Sequence, residues 1–214
     1  MPKTVVVCEA QVPFIRGGAE ALTRELVREF NDRGFDTELI SLPFKWYPQE
    51  EVLTHAAMWR MADLSESTGR PIDLLVATKF PSYFARHPHK VAWLVHQHRA
   101  AYELVDTPYS DFGHHEFDVA RRDRIIALDN QMLGECRALY TISANISSRL
   151  KRFNGLDSQP LYHPPRLASR LKAGDAGDYV LSVGRLETVK RVDLAIRAMQ
   201  HVAPSLSLLI AGTG

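Results

Sequence analysis

Cysteine is scarce. The 214-residue chain holds two, Cys8 and Cys136, far apart and in no C-x-x-C pair. That spacing offers neither a disulfide framework nor a thiolate metal cluster, and two unpatterned cysteines suit a reducing, cytoplasmic setting. Long apolar runs are missing as well. The run that follows Met1-Pro-Lys ends at Glu9, too short for the core of a signal peptide or for a membrane span, which leaves loose membrane association open. No charge of one sign predominates: 26 Lys and Arg stand against 25 Asp and Glu, a net charge of +1. Nothing in that balance draws the chain to nucleic acid or to an anionic surface. Arg121, Arg122 and Arg124 are interleaved with Asp118 and Asp123, as on a solvated helix face. Internal repeats and low-complexity stretches are absent too.

What is present is ordinary for a globular protein, with 45% hydrophobic and 24% charged residues in a length that fits one domain and part of another. The pattern alternates strand and helix. Thr4–Cys8 is a β-branched run suited to a strand buried on both faces. Leu22, Leu26 and Phe30 make one stripe of a helix over 19–33, which Gly34 stops and Phe35 caps. Further strands are expected at 37–42, 72–77, 91–95, 139–142 and 160–162. Helices are expected at 50–65, at 116–136 and after the N-cap Ser143, the last ending near Phe153. This predicts a doubly wound parallel sheet over residues 1–165. His163-Pro164-Pro165 then breaks regular structure, and 166–177 reads as a linker. Residues 178–214 form one strand–helix–strand unit, with strands at 179–183 and 206–211 and a helix at 192–201. A lone unit of this kind cannot bury both faces of its sheet, so it reads as the start of a second domain. Its open edge is expected to dock on the first domain or to self-associate.

Two loops carry phosphate-binding chemistry. Gln11–Glu20 joins the first strand to the first helix, and Gly17-Gly18 there allows a ligand close to the backbone at a helix N-terminus. The loop lacks G-x-G-x-x-G, which argues against a dinucleotide site. In the second unit, Ser182-Val-Gly-Arg-Leu-Glu-Thr-Val-Lys190 places Arg185 and Lys190 beyond a strand end, a fork and a point charge suited to a diphosphate. By itself each loop also reads as a simple turn or a solvated basic segment.

Gly-Gly-Ala-Glu opening a helix that ends Arg-Gly-Phe, followed by Tyr-Thr-Ile-Ser-Ala-Asn, Arg-Phe-Asn-Gly, Tyr-His-Pro-Pro and then Val-Gly-Arg-Leu…Lys, resembles the retaining glycosyltransferases of the GT-B fold, family 4. The resemblance covers most of the chain. It implies an acceptor-binding first domain and the first part of a donor-binding second domain, whose E-x7-E glutamates lie beyond residue 214. The chain by itself is then expected to be inactive. The implied substrates are a nucleotide-diphosphate sugar and a carbohydrate or lipid-linked acceptor, with no metal and no other cofactor. The backbone amides of Gly17 and Gly18, with Arg185 and Lys190, are the implied donor-phosphate ligands. Arg191 stands where the family often has glycine.

Nine histidines are present, several in pairs. His96 follows the strand at 91–95 at the ligand-binding edge, and the resemblance places such a histidine near the transferred sugar. His98 is the second choice, two positions on. A rival reading is a non-catalytic carbohydrate-binding or scaffold protein. Another is a metal-dependent hydrolase in which His96-x-His98 is completed by His114-His115-Glu116. Lys79 reads as a solvated loop residue that could face the cleft. Trp46 is better placed than Tyr47 or Trp59 to stack on a sugar, although packing or loop anchoring would account for each.

Overall fold

The computed structural model describes residues 1–165 and 167–214. The chain divides into two compact units, Met1–Arg166 and Leu167–Gly214. Arg166, the first residue of the expected linker, lies outside the described residues.

The first unit is built from β1 (Thr4–Gln11), α1 (Gly18–Asp32), β2 (Asp36–Pro43), α2 (Glu50–Met61), a small hairpin of β3 (Glu66–Ser67) and β4 (Arg70–Pro71), β5 (Leu74–Ala77), β6 (Lys90–Leu94), α3 (Glu116–Gly134), β7 (Ala138–Thr141), α4 (Ala144–Asn154) and β8 (Gln159–Pro160). Six strands form one sheet in the order β2-β1-β5-β6-β7-β8, and every neighbour pair is parallel. Residues Val5 to Ala10 of β1 are all buried. Successive side chains of a strand face opposite sides. Val5 and Val7 accordingly pack with Leu26, Val27 and Phe30 of α1. Val6 and Cys8 join the larger core with Val52, Trp59, Leu133 and Leu150 from α2, α3 and α4. The sheet is thus covered on both faces, a Rossmann-like α/β arrangement. From β1 the chain pairs outward to β2 and then crosses back to β5. The carboxyl ends of β1 and β5 therefore flank the point of reversal where open parallel sheets bind ligands.

Helix α1 ends as its sequence predicts. Gly34 takes φ +86°, its N–H donates to Asn31 O at 2.9 Å, and the Phe35 N–H reaches Phe30 O at 3.1 Å. The two rings meet edge to face at 5.4 Å. These are the bonds and the apolar contact of a left-handed C-terminal cap. Gly34→Ala should destabilise the fold by about 1 kcal/mol, measurable as a lowered urea midpoint with an unchanged slope.

Several boundaries differ from expectation by one to four residues, β1 running on to Gln11 and β5 starting only at Leu74; two of the differences have a clear local origin. The helix expected to run to Ser65 stops at Met61, because the Asp63 carboxylate takes the Ser65 N–H at 3.0 Å and its hydroxyl at 2.7 Å. That local turn competes with helical hydrogen bonds. The sixth strand is Gln159–Pro160, one residue earlier than expected, and its pairing ends with Leu161 N–H on Thr141 O at 2.8 Å. As an edge strand it tolerates the missing N–H of proline.

The second unit contains β9 (Tyr179–Val183), α5 (Val192–Ala198) and β10 (Ser207–Ala211). β9 and β10 pair in parallel, and a 3-10 turn at Met199–His201 continues the helix expected to reach His201. Leu181, Val183, Ile196 and Leu209 are exposed. Among the described residues no helix is long and apolar enough to cross a membrane.

Candidate functional site

The loop after β1 and the start of α1 are held by one carboxylate. Glu20 is the third residue of α1, and its side chain reaches back to accept the Gly17 N–H at 2.8 Å. This is the acidic half of a capping box. The other oxygen meets Lys79 Nζ, just past β5, at 2.6 Å. Burial raises the Glu20 carboxyl, but the hydrogen bond and charge of Lys79, with the Gly17 N–H, bring it below its ordinary value. Lys79 is therefore not the solvated loop residue expected from its position. It is 8% exposed and bridges two loops at the point of strand reversal. A second carboxylate, Glu9 of β1, is fully buried and accepts from Thr23 Oγ1 at 2.5 Å and Ser41 Oγ at 3.2 Å.

The two glycines of this loop differ. With its N–H on Glu20, Gly17 has no amide left for a ligand. The Gly18 and Ala19 amides have no partner among the described residues. A Cβ built on Gly18 meets nothing within 4 Å. Neither the backbone nor the packing of this unit requires glycine there. The free amides at the start of the helix thus belong to Gly18 and Ala19.

A cleft of about 500 Å³ lies at the carboxyl edge of the sheet, and Lys79, the partner of Glu20, is part of its wall. Lys79, His96, His98, Arg99, Trp46 and Tyr109 are among its walls. His96 and His98 share this cleft but not an environment, since β6 ends at Leu94 and both lie on the loop beyond it. His96 Nδ1 is 2.7 Å from Gln97 O. A carbonyl only accepts, so Nδ1 carries the proton and Nε2 keeps a lone pair. Burial, aided by Lys79 and Arg99, lowers the His96 pKa against the raising effect of that carbonyl. The ring is neutral near pH 7. His98 sits among Phe44, Phe80 and Phe112, with ring centroids 5.3–6.0 Å away. Its Nε2 is buried without a partner among the described residues, and burial, with His96 beside it, pushes its pKa down to about 4. His98 packs as an apolar ring, while His96 offers an acceptor.

A buried polar network fixes this loop from behind. Gln97 Nε2 donates to Asn154 Oδ1 at 2.8 Å, and Asn154 Nδ2 donates to Asn130 Oδ1 at 2.6 Å and to Tyr102 OH at 3.2 Å. Tyr102 and Tyr83 then donate to the two oxygens of Asp129 at 2.6 and 2.7 Å. The loop that carries His96 is in this way tied to α3 and α4. These residues were not singled out from the sequence. No motif links them, and only the fold brings them together.

In the second unit, Arg185 pairs with Glu187 at 2.6 Å, with both side chains exposed. Lys190 closes a 3-10 turn, and Arg191 after it adopts φ +51°. The position where the family often has glycine thus takes the left-handed conformation that favours glycine, here held by arginine.

Among the described residues no three His, Cys, Asp or Glu side chains are placed to hold a metal ion. His114, one candidate third ligand, pairs with Asp106 at 2.5 Å. No family model and no curated protein matches the chain.

Proposed function

We propose that the first unit is the acceptor-side domain of a retaining GT-B glycosyltransferase that uses a nucleotide-diphosphate sugar. The observation that carries this reading is one juxtaposition at the point of strand reversal. The free amides of Gly18 and Ala19 open α1, and Glu20 of that first turn pairs with Lys79 on the wall of the cleft that holds neutral His96. Breaking the sugar–phosphate bond builds negative charge on the leaving diphosphate. Fixed amides and a helix dipole stabilise that charge more in the transition state than in the ground state. In the second unit the exposed Arg185 and Lys190 are the cations proposed to meet a diphosphate. His96 Nε2 would accept a hydroxyl proton of the sugar and fix its orientation. The expected products are a glycoside with retained anomeric configuration and a free nucleoside diphosphate.

Gly18→Val tests the loop. The added side chain enters open space, so stability should stay within about 0.5 kcal/mol. Affinity for UDP- or GDP-sugars should fall at least about tenfold. Calorimetric titration with thermal denaturation reads both. Equal donor binding by the variant would reduce the loop to a turn. Run on a form that carries a whole donor domain, a product assay by NMR separates transfer from mere carbohydrate binding, since a binding protein releases no nucleoside diphosphate.

A further inference from the structure

We infer that the cleft of the first unit takes an uncharged sugar ring, gripped through its hydroxyl donors and one apolar face, and selects against phosphorylated or carboxylated acceptors. The inference rests on reading the cleft as the acceptor site.

Charge balance is the first argument. Lys79 is neutralised by Glu20 at 2.6 Å. Arg99 gives its Nε to Glu103 at 2.6 Å, an oxygen that Arg149 also reaches at 2.9 Å. That triad has one cation in surplus, and the Asp111 carboxylate on the cleft wall offsets it. Counted with their ion-pair partners, the lining cations Lys79 and Arg99 and the lining Asp111 belong to a set of three cations and three carboxylates, so this wall carries no net positive charge to attract an anion.

Hydrogen-bond polarity is the second. The Asp111 carboxylate has no hydrogen-bond or ion-pair partner among the described residues, and His96 presents a bare Nε2. Both only accept in these states. Asp111 is exposed and His96 half-buried; a ring bound in the cleft would displace water from both acceptors, and each would then need a donor. Hydroxyl groups supply donors, whereas phosphate dianions and carboxylates do not. The third argument is shape. Trp46 and Tyr109 line the same cleft and are 36% and 43% exposed, leaving flat apolar surface for the C–H face of a sugar ring. A volume of about 500 Å³ falls in the range of small-ligand sites.

Saturation-transfer NMR on the 214-residue chain gives the test. The probes are the methyl glycosides of glucose, galactose and mannose, set against the corresponding 6-phosphates and against glucuronic and galacturonic acids. Transfer should reach the ring protons of at least one neutral glycoside and be weaker for its charged counterparts. Trp46→Ala should weaken that binding about tenfold, and Asp111→Lys should turn the preference toward the 6-phosphates. Stronger transfer to the charged sugars in the unaltered protein would overturn the inference and leave the acceptor-site reading standing. No transfer to any sugar, or neutral binding unchanged by Trp46→Ala, would overturn both.

Discussion

Glu20→Ala should destabilise the first unit by about 3–5 kcal/mol, the range for stranding one partner of a buried ion pair. The Glu20 and Lys79 side chains are 8% and 11% exposed. Removing the carboxylate leaves an ammonium without its partner in that setting, and it also frees the Gly17 N–H that Glu20 accepts at 2.8 Å. The double variant Glu20→Ala, Lys79→Met should recover most of the loss, because it removes the stranded charge as well. All three tryptophans, Trp46, Trp59 and Trp93, lie in the first unit, so urea unfolding followed by tryptophan fluorescence reports on it. A loss below about 1 kcal/mol would place Lys79 in effective contact with water, as for a surface pair. The sign with pH follows from the lowered Glu20 pKa. Its contribution is present above the unfolded value of 4.5 and is lost as pH falls through the lower folded value. The single variant should therefore differ least from the parent in acid.

The parts of the fold readable from sequence are those that local chemistry determines. The valines of β1, the stripe Leu22, Leu26 and Phe30, the Gly34 cap and the Ser143 N-cap, whose Oγ accepts the Ile146 N–H at 3.3 Å, each depend on neighbours within a few positions. The helix end at Met61 was missed because an aspartate two residues beyond it offered the backbone a competing turn. The candidate site was partly readable: the glycine loop and the histidine after β6 lie at one edge of the sheet, as strand–helix alternation implies. The partner of each group was not readable. Glu20 and Lys79 are 59 residues apart, and Tyr83 and Asp129 are 46 apart. No periodicity encodes such pairs. The sequence therefore suggested Gly17 and Gly18 together, while the Glu20 side chain separates them by occupying one amide. It suggested His96 first and His98 second for one role, and the aromatic cage around His98 separates the two.

Asp129→Asn should remove a pH-dependent stability term on the order of 4 kcal/mol between about pH 4 and pH 7. Asp129 is fully buried. Burial raises its pKa from 3.8 to about 7, against the lowering effect of hydrogen bonds from Tyr102 and Tyr83. Each pH unit between the folded and unfolded values is worth about 1.4 kcal/mol. The folded state holds the proton more tightly, so this contribution is fully present below the unfolded value and is lost as pH rises through about 7. The other titratable groups facing Asp129 are Tyr83 and Tyr102, both raised by burial and by the Asp129 charge, and neither titrates in this window. His98 and His96 act in the opposite direction. Their folded pKa values lie below 6.5, so their contributions are present above that value and fall away toward acid. The parent's curve sums these trends and can look flat. The difference between the parent and Asp129→Asn isolates the aspartate, because both share the same histidines. Urea midpoints at half-unit steps should give a gap that narrows or reverses in favour of the variant as pH rises. A constant gap would mean that Asp129 has an ordinary pKa in the fold. The same titration bears on the candidate site, since Asp129 connects through Tyr102 and Asn154 to Gln97 beside His96. Ionising the aspartate tightens its hold on both tyrosine hydroxyls at the cost of a buried charge. Sugar binding in the cleft should then vary with pH in the parent over this range, and less so in the variant.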